Sequence, residues 1–227
     1  LAPVPAAPAS DDAKDLSAED KAALVAAEKE QRRRHDEAVK QAIDEFKKAL
    51  REAKNISDRA ALVKKLSENE RDPKVQAELA RFLGDPAETV RIEAMGALSH
   101  YRRDRAAAAA LAGALAGART ASMQGYALDA LGAVGHEIAL PAIARHVTEK
   151  TEERVMLSAI RALGETNLAG AVPVLIEAWE KLEKEKTKGD EQKKAAEERL
   201  KAVENPLMAS VAALTGQRHS TVSDYRT

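Results

Sequence analysis

The chain has 227 residues, 44% of them apolar but only 3% aromatic, with 36 basic residues against 37 acidic ones. Its large rings (Phe46, Phe82, Tyr101, Tyr126, Trp179, Tyr225) are too few to centre a broad globular core, so the abundant Ala, Leu, Val and Ile argue for thin helical layers. A near-zero net charge argues against a dedicated nucleic-acid binder, the lack of cysteine excludes disulfides and thiolate chemistry, and no apolar run approaches the roughly 18 residues of a membrane-spanning helix.

Leu1 to Ser10 (LAPVPAAPAS) reads as an extended Pro/Ala spacer, with residues 1–15 expected to be disordered and removable. Such a tract often follows a removed export signal, which would place the protein outside the cytoplasm; an arbitrary boundary accounts for it equally well. No breaker interrupts Leu16 to Ala53, and Ser17 with Asp20 supplies a capping signal. A helix over 16–54 of about 55 Å is expected. Its stretch Glu28 to Glu37 (EKEQRRRHDE) is polar all round and should stand clear of the body, held by ion pairs or a partner. Asn55-Ile56-Ser57 matches a glycosylation acceptor, but between two helices it reads first as a cap.

An internal repeat then organises the chain. Leu79 and Leu83 recur 32 residues later as Leu111 and Leu115, then as Ile143 and Val147, then as Leu175 and Trp179. Ala108, Leu140 and Val172 add a third apolar position three residues before the later pairs; Gln76 is the departure. A second stripe runs out of phase: Leu62, Val63, Leu66; Ala94, Met95, Leu98; Ala127, Leu128, Leu131; Ala159, Ile160, Leu163. Two amphipathic stripes with one period define a helix–turn–helix unit. Gly84-Asp85-Pro86, Gly132 with Gly135, and Gly164 with Asn167 mark turns or helix ends, and Pro141 and Pro173 fit first turns. Phe46 and Leu50 give the first unit its first helix. Ser210 to Gly216 closes a fifth unit after a charged helical insert, 180–205, expected to project and to be deletable.

These stripes carry a resemblance. TVRIEAMGAL (89–98), ALDALG (127–132) and ERVMLSAIRALG (153–164) resemble the second helix of bacterial HEAT-like repeats of the phycobilisome-lyase type, with their V-R-x-x-A-x-x-A-L-G pattern. IALPAIARHV (138–147) and AVPVLIEAW (171–179) resemble the first helix. The resemblance covers roughly residues 38–216 and implies an all-α solenoid of about five helix pairs. The arginine of the V-R pair is read only at Arg91, with Gln124 and Met156 in the equivalent places. VAALTGQ (211–217) resembles the close of such proteins, where a Trp-rich segment follows; here a polar tail, 217–227, follows instead. The face made by Leu207, Val211 and Leu214 is therefore expected to be incompletely covered, so that this end continues or rests against a partner.

The chemistry-bearing residues form no catalytic constellation. His136-Glu137 resembles one His-Glu pair of deoxyhypusine hydroxylase, a HEAT-like metalloenzyme that uses several, but beside Gly135 it reads as a turn. His100 with Asp104 and His146 with Glu149 have helical ligand spacing but no second histidine. Tyr101 to Arg105 (YRRDR) is the densest basic point, a solvated loop or a grip for an acidic segment. Neither catalytic, metal nor cofactor residues are assigned. The expected partner surface is the inner face of the second helices: Lys64, Lys65, Glu93, Tyr126, Asp129, Arg161 and Glu165, a strip of mixed charge around one tyrosine. The expected function is a non-catalytic scaffold or structural subunit that binds a partner protein. The alternative is a lyase-type enzyme or cofactor-handling module with chemistry near Tyr126, Asp129 and Arg161.

Overall fold

A computed structural model describes residues 17–68, 71–148, 150–185, 190–217 and 225. The spacer 1–15, Glu149 and most of the tail lie outside them. The described residues form ten α-helices: α1 (Ala18–Glu52), α2 (Ile56–Ser67), α3 (Pro73–Arg81), α4 (Glu88–Ser99), α5 (Arg105–Gly117), α6 (Ala121–Val134), α7 (Leu140–Ala144), α8 (Glu153–Glu165), α9 (Ala171–Glu185) and α10 (Asp190–Thr215). They pair as α1/α2 through α9/α10, the five units of an all-α, HEAT-like solenoid. The second helices α2, α4, α6, α8 and α10 lie side by side in one closely packed layer, while the first helices fan out more loosely on the other side.

The stripes are where the layers meet. Leu79, Leu111, Ile143 and Leu175 are fully buried, as are Leu98, Leu131 and Leu163 one layer across. Burying such a side chain is worth about 1.5–3 kcal/mol, and recurrence at one period makes each unit lean on its neighbours. Polar caps begin the helices. Ser17 and Asp20 form a reciprocal capping box on α1, and Asn55, Asp72, Asp104 and Thr120 accept backbone N–H groups at the starts of α2, α3, α5 and α6. Gln76, the polar departure from the stripe, is buried because its amide donates to the Asp104 carboxylate that caps α5.

Several expectations need correction. Gly132 and Gly164 lie within the last turns of α6 and α8 rather than beyond them. A Cβ on Gly132 would stand 2.9 Å from the Ala162 backbone, and one on Gly164 would stand 2.6 Å from Ser210 Oγ. These glycines permit close approach of neighbouring second helices. The helix ends are marked by Gly135 and Asn167, the other members of those two pairs as expected, while Arg103 stands 32 residues before Gly135 in the turn ahead of α5; all three are left-handed, with φ of 59° at Arg103, 61° at Gly135 and 52° at Asn167. The stretch 138–147 forms only a 3₁₀ turn (Glu137–Ala139) and the short α7, not a full first helix.

The insert is also not a free projection. α9 and α10 form a hairpin whose root buries Leu182, Leu200 and Val203, and α10 runs through Pro206 to pack on α8. Deleting 180–205 would remove core residues. The terminal face is better covered than expected: Leu207 and Val211 are fully buried, Leu214 and Tyr225 are partly buried against the core, and the Tyr225 hydroxyl donates to the Gln217 carbonyl at 3.0 Å. The polar part of α1 is tied down at its far end. His35 Nε2 lies 3.2 Å from Asp72 Oδ2, and Lys74 Nζ donates to Asp36 at 2.6 Å. Only the preceding turns stand clear.

Candidate binding surface on the inner face

The period places the predicted residues in rows. Lys64 on α2, Gly96 on α4, Asp129 on α6 and Arg161 on α8 occupy one equivalent place, with steps of 32, 33 and 32 residues. Glu93, Tyr126 and Ser158 occupy the neighbouring one. Helical spacing turns both rows away from the first helices, because the intervening positions 94, 127 and 159 are fully buried.

Within these rows the structure joins Asp129 to Arg161. Arg161 Nη2 donates to Asp129 Oδ1 at 2.6 Å, an ion pair bridging successive units, and this bond raises the arginine pKa further. Glu165, one turn beyond Arg161, has its carboxyl pKa raised by partial burial and then by the Asp129 charge, with Arg161 opposing. Tyr126 stands between Glu93 and this pair with 46% of its surface exposed. Lys64 is exposed at the near end of its row. Lys65 stands apart from both rows. Its equivalents Ala97, Ala130 and Ala162 are buried, and a Gly132 Cβ would meet Ala162, so this place faces the preceding unit. The first unit has no predecessor, and Lys65 instead lines a small cleft with Glu45, Phe46 and Leu66.

The other candidates are occupied locally. His136 Nδ1 accepts from the Ile138 N–H at 3.2 Å and so caps the 3₁₀ turn. Asp104 caps α5 and holds Gln76. Burial lowers the His146 pKa. Among the described residues no group of three or more His, Asp or Glu is arranged to hold a metal ion, and no helix is long and apolar enough to cross a membrane. In the basic stretch 101–105 the three arginines are exposed, and Arg103 lies along the solenoid. Arg103 Nη1 donates to the Gly135 carbonyl at 2.8 Å and Nη2 to the Asn167 carbonyl at 3.1 Å, while its backbone N–H donates to Val134 at 2.7 Å. Tyr101 is buried with its hydroxyl directed to the Asp72 carbonyl. Burial, then the Asp72 and Asp104 charges, push its pKa up to about 12.

Sequence reasoning also missed a residue. Arg59 lies 32 residues before Arg91, so the arginine place of the repeat is filled twice, not once. Asp58, where the pattern has Val, hid it.

No protein-family model and no curated protein matches the chain. Among solved structures, human deoxyhypusine hydroxylase in complex with glycerol is similar at 20% identity and a TM-score of 0.45, over 66% of this chain. The match spans 45% of the hydroxylase chain, less than half its length. An engineered protein is similar at 16% identity and a TM-score of 0.44, over 77% of this chain and 84% of its own.

Proposed function

We propose that the protein is a non-catalytic scaffold of the phycobilisome-lyase repeat type, which holds a partner protein on the inner face of its second-helix layer. The observation that carries this reading is the placement of Tyr126. A large aromatic ring is left nearly half exposed in the middle of a preformed, regularly spaced strip, with Glu93 on one side and the Asp129–Arg161 pair on the other. Aromatic anchors flanked by polar groups are the usual composition of protein-binding patches, and a rigid strip binds with little ordering cost. The lyase-type alternative needs an acid, base or nucleophile free to act. Asp129 and Arg161 neutralise each other instead.

The test is site-specific photocross-linking in the native source, with a benzophenone amino acid at Tyr126 and, separately, at the exposed Ala109 on α5. A discrete cross-linked protein from position 126 and none from 109 supports the reading. Equal cross-linking from both positions, or none from 126, overturns it.

A further inference from the structure

Arg59, Arg91 and Gln124 occupy one equivalent place on α2, α4 and α6. Arg91 Nη1 donates to the carbonyls of Asp85 at 2.6 Å and Pro86 at 3.0 Å, in the turn before its own helix. Gln124 Nε2 does the same with the Ala118 carbonyl at 3.3 Å. Arg59 instead reaches forward into the next unit's turn, where Nη2 donates to Asp85 Oδ1 at 2.9 Å. The same oxygen accepts the Ala87 N–H at 2.8 Å. The forward step from Arg91 leads to position 118, the equivalent of 85, and that residue is alanine. Arg91 thus has no carboxylate at the place where Arg59 has one.

A cleft of about 610 Å³ opens at that place, lined by both Arg91 and Ala118. Leu83 and, almost fully buried beneath it, Met95 and Met123 line its apolar side, and the exposed Arg119 stands beside Ala118. Arg91 and Arg119 have no ion-pair partner among the described residues. Asp85 also lines the cleft, but its charge is balanced by Arg59.

We propose that this cleft binds a carboxylate side chain, Asp or Glu, from a partner protein segment in which an apolar residue follows the acidic one. The acidic group takes the place opposite Arg91 that Asp85 takes opposite Arg59, and Arg119 adds a second positive charge. Guanidinium–carboxylate contacts are strong and directional, and Arg91 is already oriented by two backbone carbonyls. The thioether wall accepts the neighbouring apolar side chain because methionine adapts to irregular shapes. The site lies at the turns of the second and third units, so it does not depend on the inner face.

The experiment follows the methionine methyl resonances of the full chain, ¹³C-labelled, during titration with a capped Gly-Asp-Leu-Gly peptide. Saturable shifts at Met95 and Met123 are expected, with at least about tenfold weaker binding of the Gly-Asn-Leu-Gly peptide. Arg91→Gln copies the residue found at 124, which keeps the equivalent backbone bond, so the fold should survive while affinity falls at least about tenfold. Ala118→Asp should supply the carboxylate from within, raising the melting temperature and blocking the peptide. Equal binding of the Asp and Asn peptides, no saturable shift at millimolar peptide, binding indifferent to Arg91→Gln, or a lowered melting temperature in Ala118→Asp would each overturn the proposal.

Discussion

Between α6 and α8 there is no space for a methyl group at Gly132, whereas the first turns of α1, from Ala18 to Arg34, are exposed at nearly every position. The centre of the α6–α8 contact is apolar and repeated, with Leu128, Leu131, Ile160 and Leu163 fully buried. The early part of α1 is held by charges on its own surface: Arg33 and Arg34 each bond Glu30 at 2.9 Å, and Arg33 also reaches Glu37 at 3.2 Å. Packing of the first kind stabilises by kilocalories, while exposed ion pairs of the second kind contribute far less because water and salt screen them. One region should respond to volume and the other to pH and salt.

The largest effect is expected from opening the packed region. Leu111→Ala and Ile143→Ala remove fully buried side chains between units and should each cost about 2–5 kcal/mol in chemical denaturation. Because units contact mainly their neighbours, the loss separates unfolding of the two ends; a single sharp transition with an unchanged midpoint in both variants would contradict this picture. Filling it should also hurt. Gly132→Val drives a side chain into the Ala162 backbone, which cannot swing aside as a rotamer could, at a cost of about 1–3 kcal/mol or more.

A smaller effect is expected at the inter-unit staple. Arg103→Gly keeps the left-handed backbone comfortable but removes two side-chain bonds to the next turns, a loss of about 1 kcal/mol by thermal melting. Arg103→Ala should be worse by several tenths, because it adds strain at φ 59°. Equal stability of the two variants would show that backbone strain is not felt there.

The smallest effect belongs to α1. The bonds from Arg33 and then Arg34 hold the Glu30 carboxyl down to about 2, below its ordinary 4.5. A depressed carboxylate contributes stability that is complete above about 4.5 and is lost as pH falls through about 2. Amide-exchange protection in residues 20–34 should therefore decline between those values, and Arg33→Ala or high salt should remove most of that dependence while the global melting temperature holds. Equal pH dependence in wild type and Arg33→Ala would count against the ion pairs as its cause.

How much could be read beforehand differs in the same way between features. The 32-residue stripes, the caps at Ser17 and Asn55, and the pairing into five units were legible because they depend on residues close in sequence and on a periodicity that repeats itself. The rows of the inner face were partly legible, since the period assigns equivalent places. Lys65 was misplaced because the period does not say that an end unit lacks a neighbour. The burial of Val211 was misjudged because it required α10 to turn back onto α8, a long-range event.

The amino-acid order by itself therefore determined the helix-pair unit, its repetition and the residues that meet inside it, since hydrophobic spacing and capping act within a few turns of one helix. Only the tertiary structure decided that Gly132 and Gly164 serve approach rather than termination, and that Arg103 spans three units. It also decided that Arg59 finds a carboxylate in the next turn while Arg91 finds alanine. Each of these depends on atoms 26 residues or more apart being brought within hydrogen-bond or van der Waals reach, and no local periodicity specifies which of them will touch.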